Sequence, residues 1–325
     1  MLHKILPLTL LLGWCASQPV CADWYSREQA VMGTAVRVEL WHENRTAAEQ
    51  CMDRVMKNMH RIDLAMSPFK PDSELSKLNR EAAIRPFKVS QELFQLMQRA
   101  NEISVLTHGR FDITFASVGY LYDYRKGLKP DATQLKSLQA AINYRHIVFD
   151  AAEQTIAFQH PNVRIDLGGI AKGHAVDQGI AILRQCGIQN ALLSAGGDSY
   201  ILGDRRGRPW MTGIRHPRQK GKFALVIPLS DTAVSTSGDY ERYFIKNGVR
   251  YHHIISPDSG KPAPLSRSVT ILGPDATTTD ALSTACFVLG PEKAAQLVET
   301  LPDIEAIIID ADGKTRYTSG LQSPP

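Results

Sequence analysis

The sequence predicts an α+β fold, with mixed and antiparallel sheets packed against helices. Three observations carry that expectation. Segments of helical period are long, the first running from Arg45 to Met66. Segments of strand character are short, numerous and joined by turn signals, as hairpins are. No internal repeat and no low-complexity segment interrupts either kind. The chain has 325 residues, 43% hydrophobic and 22% charged, which is ordinary globular composition with length enough for a sizeable core. No linker is visible, so residues 23–325 are expected to form one domain.

In chain order, "AVMGTAVRVELW" alternates apolar and polar residues around a glycine and reads as a strand. "RTAAEQCMDRVMKNMHRIDLAM" places apolar residues at helical spacing. "SPFKPDSELSKLNR", with two prolines, reads as loop. "SQELFQLMQRANEISVLTHG" is a second helix, with Ser90 at the N-cap and Gly109 at the end. "FDITFASVGYLYDYRKG" is aromatic without clean periodicity, "DATQLKSLQAAI" suggests a helix, and "HIVFDAAEQTIAFQ" a hairpin. "VRIDLG" reads as a strand leading into a helix from about Ala171 to Cys186. Strand candidates follow in "ALLSAGGDSYILG", "PWMTGIRHP" and "KFALVIPLSDTAVSTSGD", and Asn247-Gly248 marks a turn between two more. The strand "SVTILGP", the helix "TTDALSTACFVLG", a helix near "EKAAQLVETL" and the strand "IEAIIID" close the series.

Net charge is +4 and the pI near 8.7, but the basic residues are scattered. That excludes a nucleic-acid stripe and suits an anionic small molecule. A short basic start, "MLHK", is followed by the apolar "ILPLTLLLGW", and Val20 and Ala22 fill the small-residue positions of a signal peptidase site. Residues 1–22 are therefore expected to be a signal peptide cleaved after Ala22, which makes the mature protein periplasmic or otherwise exported. The apolar core is shorter than the roughly 20 residues of a membrane span. Trp14 before Cys15 and Pro19-Val20 before Cys21 fit a lipid-anchor site poorly. Cys51, Cys186 and Cys286 remain in the mature chain. Their odd number excludes a full disulfide framework, no pair has Cys-x-x-Cys spacing, and they read as small core residues.

The segment "RIDLGGIAKGHAVDQ" carries the first candidate site. Gly168, Gly169 and Gly173 have the wrong spacing for a dinucleotide fingerprint. Lys172 precedes Gly173 where a P-loop needs the reverse order. The physical ingredients of an anion site remain: two glycines that allow close backbone approach, a helix N-terminus, and a lysine in its first turn. A plain strand–turn–helix with packing glycines explains the segment equally well. In "TTTDALSTACFVLG", Asp280 and Thr284 are four apart and share a helix face. A carboxylate and a hydroxyl are hard donors suited to Mg²⁺. Taken alone, a helix start at Asp280 and a back-bonded Thr284 account for the pair better. His252 and His253 are adjacent in a strand candidate, so one faces inward, as a satisfied core residue or as a base near neutral pKa. "STSGDYERYF" reads as a turn entering an aromatic run.

In this order the segments resemble the ApbE-type flavin transferases, the FAD:protein FMN transferase family. The blocks that match are "VMGT", "MSPFKPDSELSKLN", "IDLGGIAKGHAVD", "GGD", "STSGDYERYF", "HHIISPDSGKP" and "TDALSTACFVLG". Each is weak alone; seven in register, over nearly the whole mature chain, are specific. The resemblance implies an ApbE-like fold and a Mg²⁺-dependent reaction. FAD is cleaved at its pyrophosphate, FMN is joined through its phosphate to a Thr or Ser hydroxyl of a target protein, and AMP leaves. The acceptor would be a membrane-associated redox subunit. By family position, Asp280 and Thr284 hold the metal with the carbonyl of Ala171. Lys172 and the backbone at Gly169 lie by the pyrophosphate. Met32, Phe69, Ala116, Ser117, Val118, Asp166 and His174 line the FAD pocket. His253 lies nearest the acceptor hydroxyl, as its base, so His253 and Asp280 are the catalytic candidates. One departure is "FASVGYLYDY", with Tyr120 where the family usually has Pro. The same site would equally serve an FAD pyrophosphatase that hands the phosphoryl group to water. A non-catalytic flavin carrier fits less well, because it has no need of Asp280, Thr284 and His253.

Overall fold

The structure, a computed structural model, describes residues 23–322; the expected signal peptide and its cleavage site lie outside them. Its frame is an eight-stranded, wholly antiparallel sheet. The strands lie side by side in the order Asp23–Val31, Thr34–His42, Ala191–Ala195, Asp198–Leu202, Thr232–Gly238, Ser266–Gly273, Glu305–Asp310 and Thr315–Tyr317. Eight helices are formed among the described residues: α1 (Arg45–Met66), α2 (Glu74–Glu81), α3 (Gln91–Leu106), α4 (Ala116–Gly119), α5 (Ala132–Leu138), α6 (Ala171–Gln185), α7 (Ala276–Leu289) and α8 (Pro291–Val298).

The period-two pattern of the strands divides the core in two. Leu193, Ala233, Ile271 and Ile308 face the helices, and with the buried stripes of α1, α3, α6 and α7 they form the main core. Their neighbours Leu192, Val234, Leu272 and Ile307 face the other way. There they meet Trp210 and Ile214 of the hairpin formed by Trp210–Arg215 and Phe223–Leu229. Both faces of the sheet are thus covered, which is why its strands read as nearly continuous apolar runs. A third, smaller cluster gathers Val118, Tyr122 and Ile255 under the aromatic loop.

Most expected elements form where their patterns place them, and the exceptions have identifiable causes. The first strand is two. Met32 and Gly33, both at positive φ (55° and 71°), make a tight turn that pairs Asp23–Val31 with Thr34–His42. The proline-containing "loop" holds α2: both prolines precede it, and Ser73 caps it by accepting the Ser76 N–H at 3.0 Å. "VRIDLG" joins no sheet. Its hydrogen bonds go to scattered partners: Asn79 accepts the Ile165 N–H (2.7 Å) and donates to the Ile165 carbonyl (2.9 Å), and the Arg164 and Asp166 N–H groups go to Ser117 Oγ and the Ile113 carbonyl. Glu305–Asp310 does not close the chain, since Thr315–Tyr317 adds an edge strand to it. The cysteines divide otherwise than expected. Cys51 and Cys186 form a disulfide between α1 and the C-terminal end of α6, and Cys286 is the free, buried one. No helix among the described residues is long and apolar enough to cross a membrane.

Candidate functional site

The N-terminus of α6 meets the middle of α7, and a glycine makes the meeting possible. A Cβ on Gly173 would stand 2.1 Å from the carbonyl oxygen of Ala276 and 2.8 Å from the Cβ of Asp280, so no other residue fits. The close approach lets the Gly173 N–H, one of the unpaired donors of a helix start, donate to Asp280 Oδ2 at 3.0 Å. Lys172 Nζ lies 3.4 Å from both oxygens of Asp280 and forms a tighter ion pair with Asp198, a buried residue just after the Gly196-Gly197 turn. Burial is the largest influence on Asp280 and, with Asp198 beside it, raises its pKa despite Lys172. Burial pulls the Lys172 ammonium down, but the two carboxylates outweigh it and leave it above its ordinary value. Two carboxylates and one ammonium leave one formal negative charge, which a further cation would offset.

One turn along α7, Thr284 faces the other glycine. A Cβ on Gly169 would lie 3.2 Å from Thr284 Oγ1, so the chain entering α6 passes directly over that hydroxyl. Behind it, Ser237 Oγ hydrogen-bonds both Ser283 Oγ (2.8 Å) and Thr284 Oγ1 (3.1 Å). The side-chain donors gathered here are all oxygens: the Asp280 carboxylate and the hydroxyls of Thr284, Ser283 and Ser237. That chemistry fits Mg²⁺ rather than a soft metal. Among the described residues no cluster of three or more His, Cys, Asp or Glu side chains offers a rival site.

A second group flanks this junction. Asp166 accepts the Gly168 N–H at 2.6 Å, and its burial raises its pKa. Arg242 brings Nη2 to 3.3 Å from where a Cβ on Gly33 would be, which sets it against the turn carrying Met32. Its carbonyl accepts the His253 N–H at 3.1 Å. The two histidines split between the two readings. His252 is the satisfied one: it is buried, it donates from Nε2 to the Ala263 carbonyl (3.0 Å), and its Nδ1 accepts the Ile254 N–H (3.3 Å). His253 follows the end of that strand, and its Nδ1 is buried without a hydrogen-bond partner. Burial, and then the Arg242 cation, hold its pKa down to about 3, so its ring is neutral.

Of the remaining candidates, Phe69 lies on a cleft of about 420 Å³. Phe69 and Tyr120 line it and are 81% and 52% exposed, unusual for aromatic rings. The Arg164 guanidinium stacks on the Tyr120 ring, 4.5 Å from its centre. Ala116, Ser117 and Val118 are buried beneath, so only their backbone and the Ser117 hydroxyl can take part. That hydroxyl accepts the Arg164 N–H at 2.9 Å. The segment from Arg164 through Asp166 to Gly169 therefore joins cleft and junction. His174 is turned toward α3, with its Nε2 2.9 Å from Glu92, itself paired with Arg61. The structure thus brings together Gly169, Lys172, Asp280 and Thr284, with Ala171 between the first two in the chain at the start of α6. It sets Asp166, Met32 and His253 beside Arg242 and places Phe69 at the cleft, while His174 points elsewhere. Sequence reasoning gave no role to Asp198, Ser237, Arg164 or Arg242. For Asp198 the signal was present, as an acid directly after a Gly-Gly turn.

Comparison with known proteins identifies the family. The sequence model of the ApbE family matches residues 32–308. The FAD:protein FMN transferase of Treponema pallidum is 34% identical, over 91% of this chain and 87% of its own. The ApbE protein of Thermotoga maritima superposes with a TM-score of 0.85 at 32% identity, covering 92% of this chain and 98% of its own. The flavin transferase ApbE of Vibrio cholerae gives 0.82 at 28%, with the same coverage. In fold, in motif order and over nearly its whole described length, the chain belongs to the ApbE family.

Proposed function

We propose that this protein is an FAD:protein FMN transferase that binds FAD and Mg²⁺. It moves FMN to a Thr or Ser hydroxyl of an acceptor protein, a membrane-associated redox subunit, and releases AMP. The observation that carries the reading is the junction itself: a buried, net-negative pair of carboxylates beside a hydroxyl, at a glycine-opened helix N-terminus. Relatives named for this activity support it.

The residues present divide the work. Asp280, Thr284 and the Ala171 carbonyl would hold the metal. When bound, the cation supplies charge neutralisation to the pyrophosphate oxygens as the bridging bond breaks. The Lys172 ammonium, in the first turn of α6, attracts and orients the diphosphate, while the Ala171, Gly173 and His174 N–H groups are already taken by Leu167, Asp280 and Ile170. Phe69 and Tyr120 offer exposed rings for the planar ends of FAD, and Asp166 fixes the loop between cleft and junction through Gly168. His253 supplies an acceptor nitrogen for the hydroxyl proton. The acceptor oxygen forms a bond to the FMN phosphorus, the bond from that phosphorus to the bridging oxygen breaks, and that oxygen leaves on AMP. A ring with a pKa near 3 is a weak base while the site is empty. A bound diphosphate offsets Arg242 and Lys172, both of which lower it, and so moves it toward the useful range.

Export belongs to the same proposal. The Cys51–Cys186 bridge is of the kind that persists in oxidising compartments and supports the reading of residues 1–22 as a cleaved signal. The test of function is incubation of the protein with FAD, Mg²⁺ and Ser/Thr-bearing acceptor subunits, followed by intact-mass analysis. An FMN mass on the acceptor is expected with the wild type, and its loss with Asp280→Ala. AMP released at full rate with no adduct on any acceptor would turn the assignment to a pyrophosphatase.

A further inference from the structure

We infer that Asp198 is a positioning residue: it tethers the Lys172 ammonium and so keeps Asp280 free to hold a cation. The inference rests on the proposed function, which places a divalent cation at Asp280. Lys172 Nζ has two carboxylates in reach but does not share itself evenly. It forms its tight ion pair with Asp198 and stands 3.4 Å from each oxygen of Asp280. Asp198 is 1% exposed and its backbone is pinned on both sides. It pairs with Ala195 across the hairpin and with Ser235 across the sheet. Gly197 before it lies so close to Thr236 that a Cβ would fall 2.7 Å from that carbonyl. Asp280 is anchored differently, through the Gly173 N–H on Oδ2. Oδ1 of Asp280 has no partner other than the distant ammonium. That oxygen is the one a metal can take.

The alternative arrangement shows what the tether prevents. Without the Asp198 charge, the ammonium has one carboxylate left within reach and nothing to hold it away. A direct Lys172–Asp280 pair would then occupy the donor. It would also shift the lysine that the proposed function gives to the diphosphate, so one substitution would remove both a metal ligand and an anion contact. Asp198 itself need touch neither metal nor substrate.

The measurement is Mn²⁺ binding to the full mature protein, followed by the paramagnetic signal of the free ion, in a double-mutant cycle of Asp198→Asn and Lys172→Gln. Loss of a through-space charge costs the same with or without the lysine; loss of a tether costs only when the lysine is there to move. The expected result is a fall in Mn²⁺ affinity of about tenfold or more from Asp198→Asn in the wild-type background, and of no more than about threefold in the Lys172→Gln background. Equal losses in both backgrounds would overturn the inference while leaving the proposed function standing. Wild-type protein that binds no Mn²⁺, and none that Mg²⁺ displaces, would overturn the cation site and the inference with it. Should Asp198→Asn not fold, Asp198→Ser makes the same comparison.

Discussion

The α6–α7 junction and the Phe69–Tyr120 cleft are parts of one candidate site, yet they are built on opposite principles. At the junction, Asp280, Asp198 and Gly173 are buried, and the close approach of α6 to α7 is set by backbone packed against backbone at Gly173. The cleft presents Phe69 and Tyr120 to solvent and fixes only what lies beneath them, through Asn79 and Ser117. Charges must be preorganised, because a buried carboxylate without partners is costly and a mobile one stabilises nothing. Flat rings need no such preparation, since an apolar face gains its contact when the ligand arrives. Stability and function should therefore be coupled at the junction and separable at the cleft.

The largest expected effect breaks the junction by geometry alone. Gly173→Ala puts a methyl group 2.1 Å from the Ala276 carbonyl, against backbone, so α6 and α7 must separate. A cost of about 3 kcal/mol or more is expected, at the upper end of overpacking penalties. Denaturant unfolding would read it, together with loss of flavin transfer. A stable, active Gly173→Ala protein would mean that the close approach of these helices is not what places Lys172 and Asp280.

The contrast also explains what was legible in the sequence. The long amphipathic helices, the Asn247-Gly248 turn and the strand at Ser266–Gly273 follow from local periodicity and turn chemistry, and they form as read. Asp280 and Thr284 could be paired because they share one helix. Asp198 could not be added to them, since its place beside Lys172 depends on pairing with strands distant in the chain. For the same reason "VRIDLG" reads as a strand and is none: Asn79, more than eighty residues earlier, takes the hydrogen bonds of Ile165 that a neighbouring strand would take. The disulfide joins Cys51 to a partner 135 residues away, and spacing alone cannot announce such a bridge. The motif blocks supplied what periodicity could not, because they carry the site's chemistry without its geometry.

At the cleft the expected effect is smaller and falls on binding alone. Phe69→Ala should weaken FAD binding by about tenfold, in line with the 1–3 kcal/mol typical of an aromatic ring stacked on a base. Its free energy of unfolding should stay within about 0.5 kcal/mol of wild type, as for an exposed position. Tyr120→Ala should behave alike but lose somewhat more, because Arg164 loses the ring it stacks on. Flavin fluorescence titration and denaturant melts on the same samples separate the two quantities. A large loss of stability at either ring would erase the distinction between the regions.

The smallest effect concerns His253, whose backbone is held by Arg242 beside the junction. Its folded pKa of about 3 lies below the ordinary 6.5. Between those values the unfolded chain binds a proton that the folded chain refuses, so this group's contribution to stability falls as pH falls through that window. Asp280 and Asp166, whose pKa values are raised, act in the opposite direction, and whole-protein melts would blur the two. The difference between wild type and His253→Gln isolates the histidine. Wild type should lose ground to the variant steadily from pH 7 to pH 4, by about 1 kcal/mol or more in total. Saturating FAD should shrink that slope, because an anionic ligand raises the folded pKa toward its unfolded value. A slope unchanged by FAD would place the His253 ring outside the reach of the diphosphate and remove it as the base.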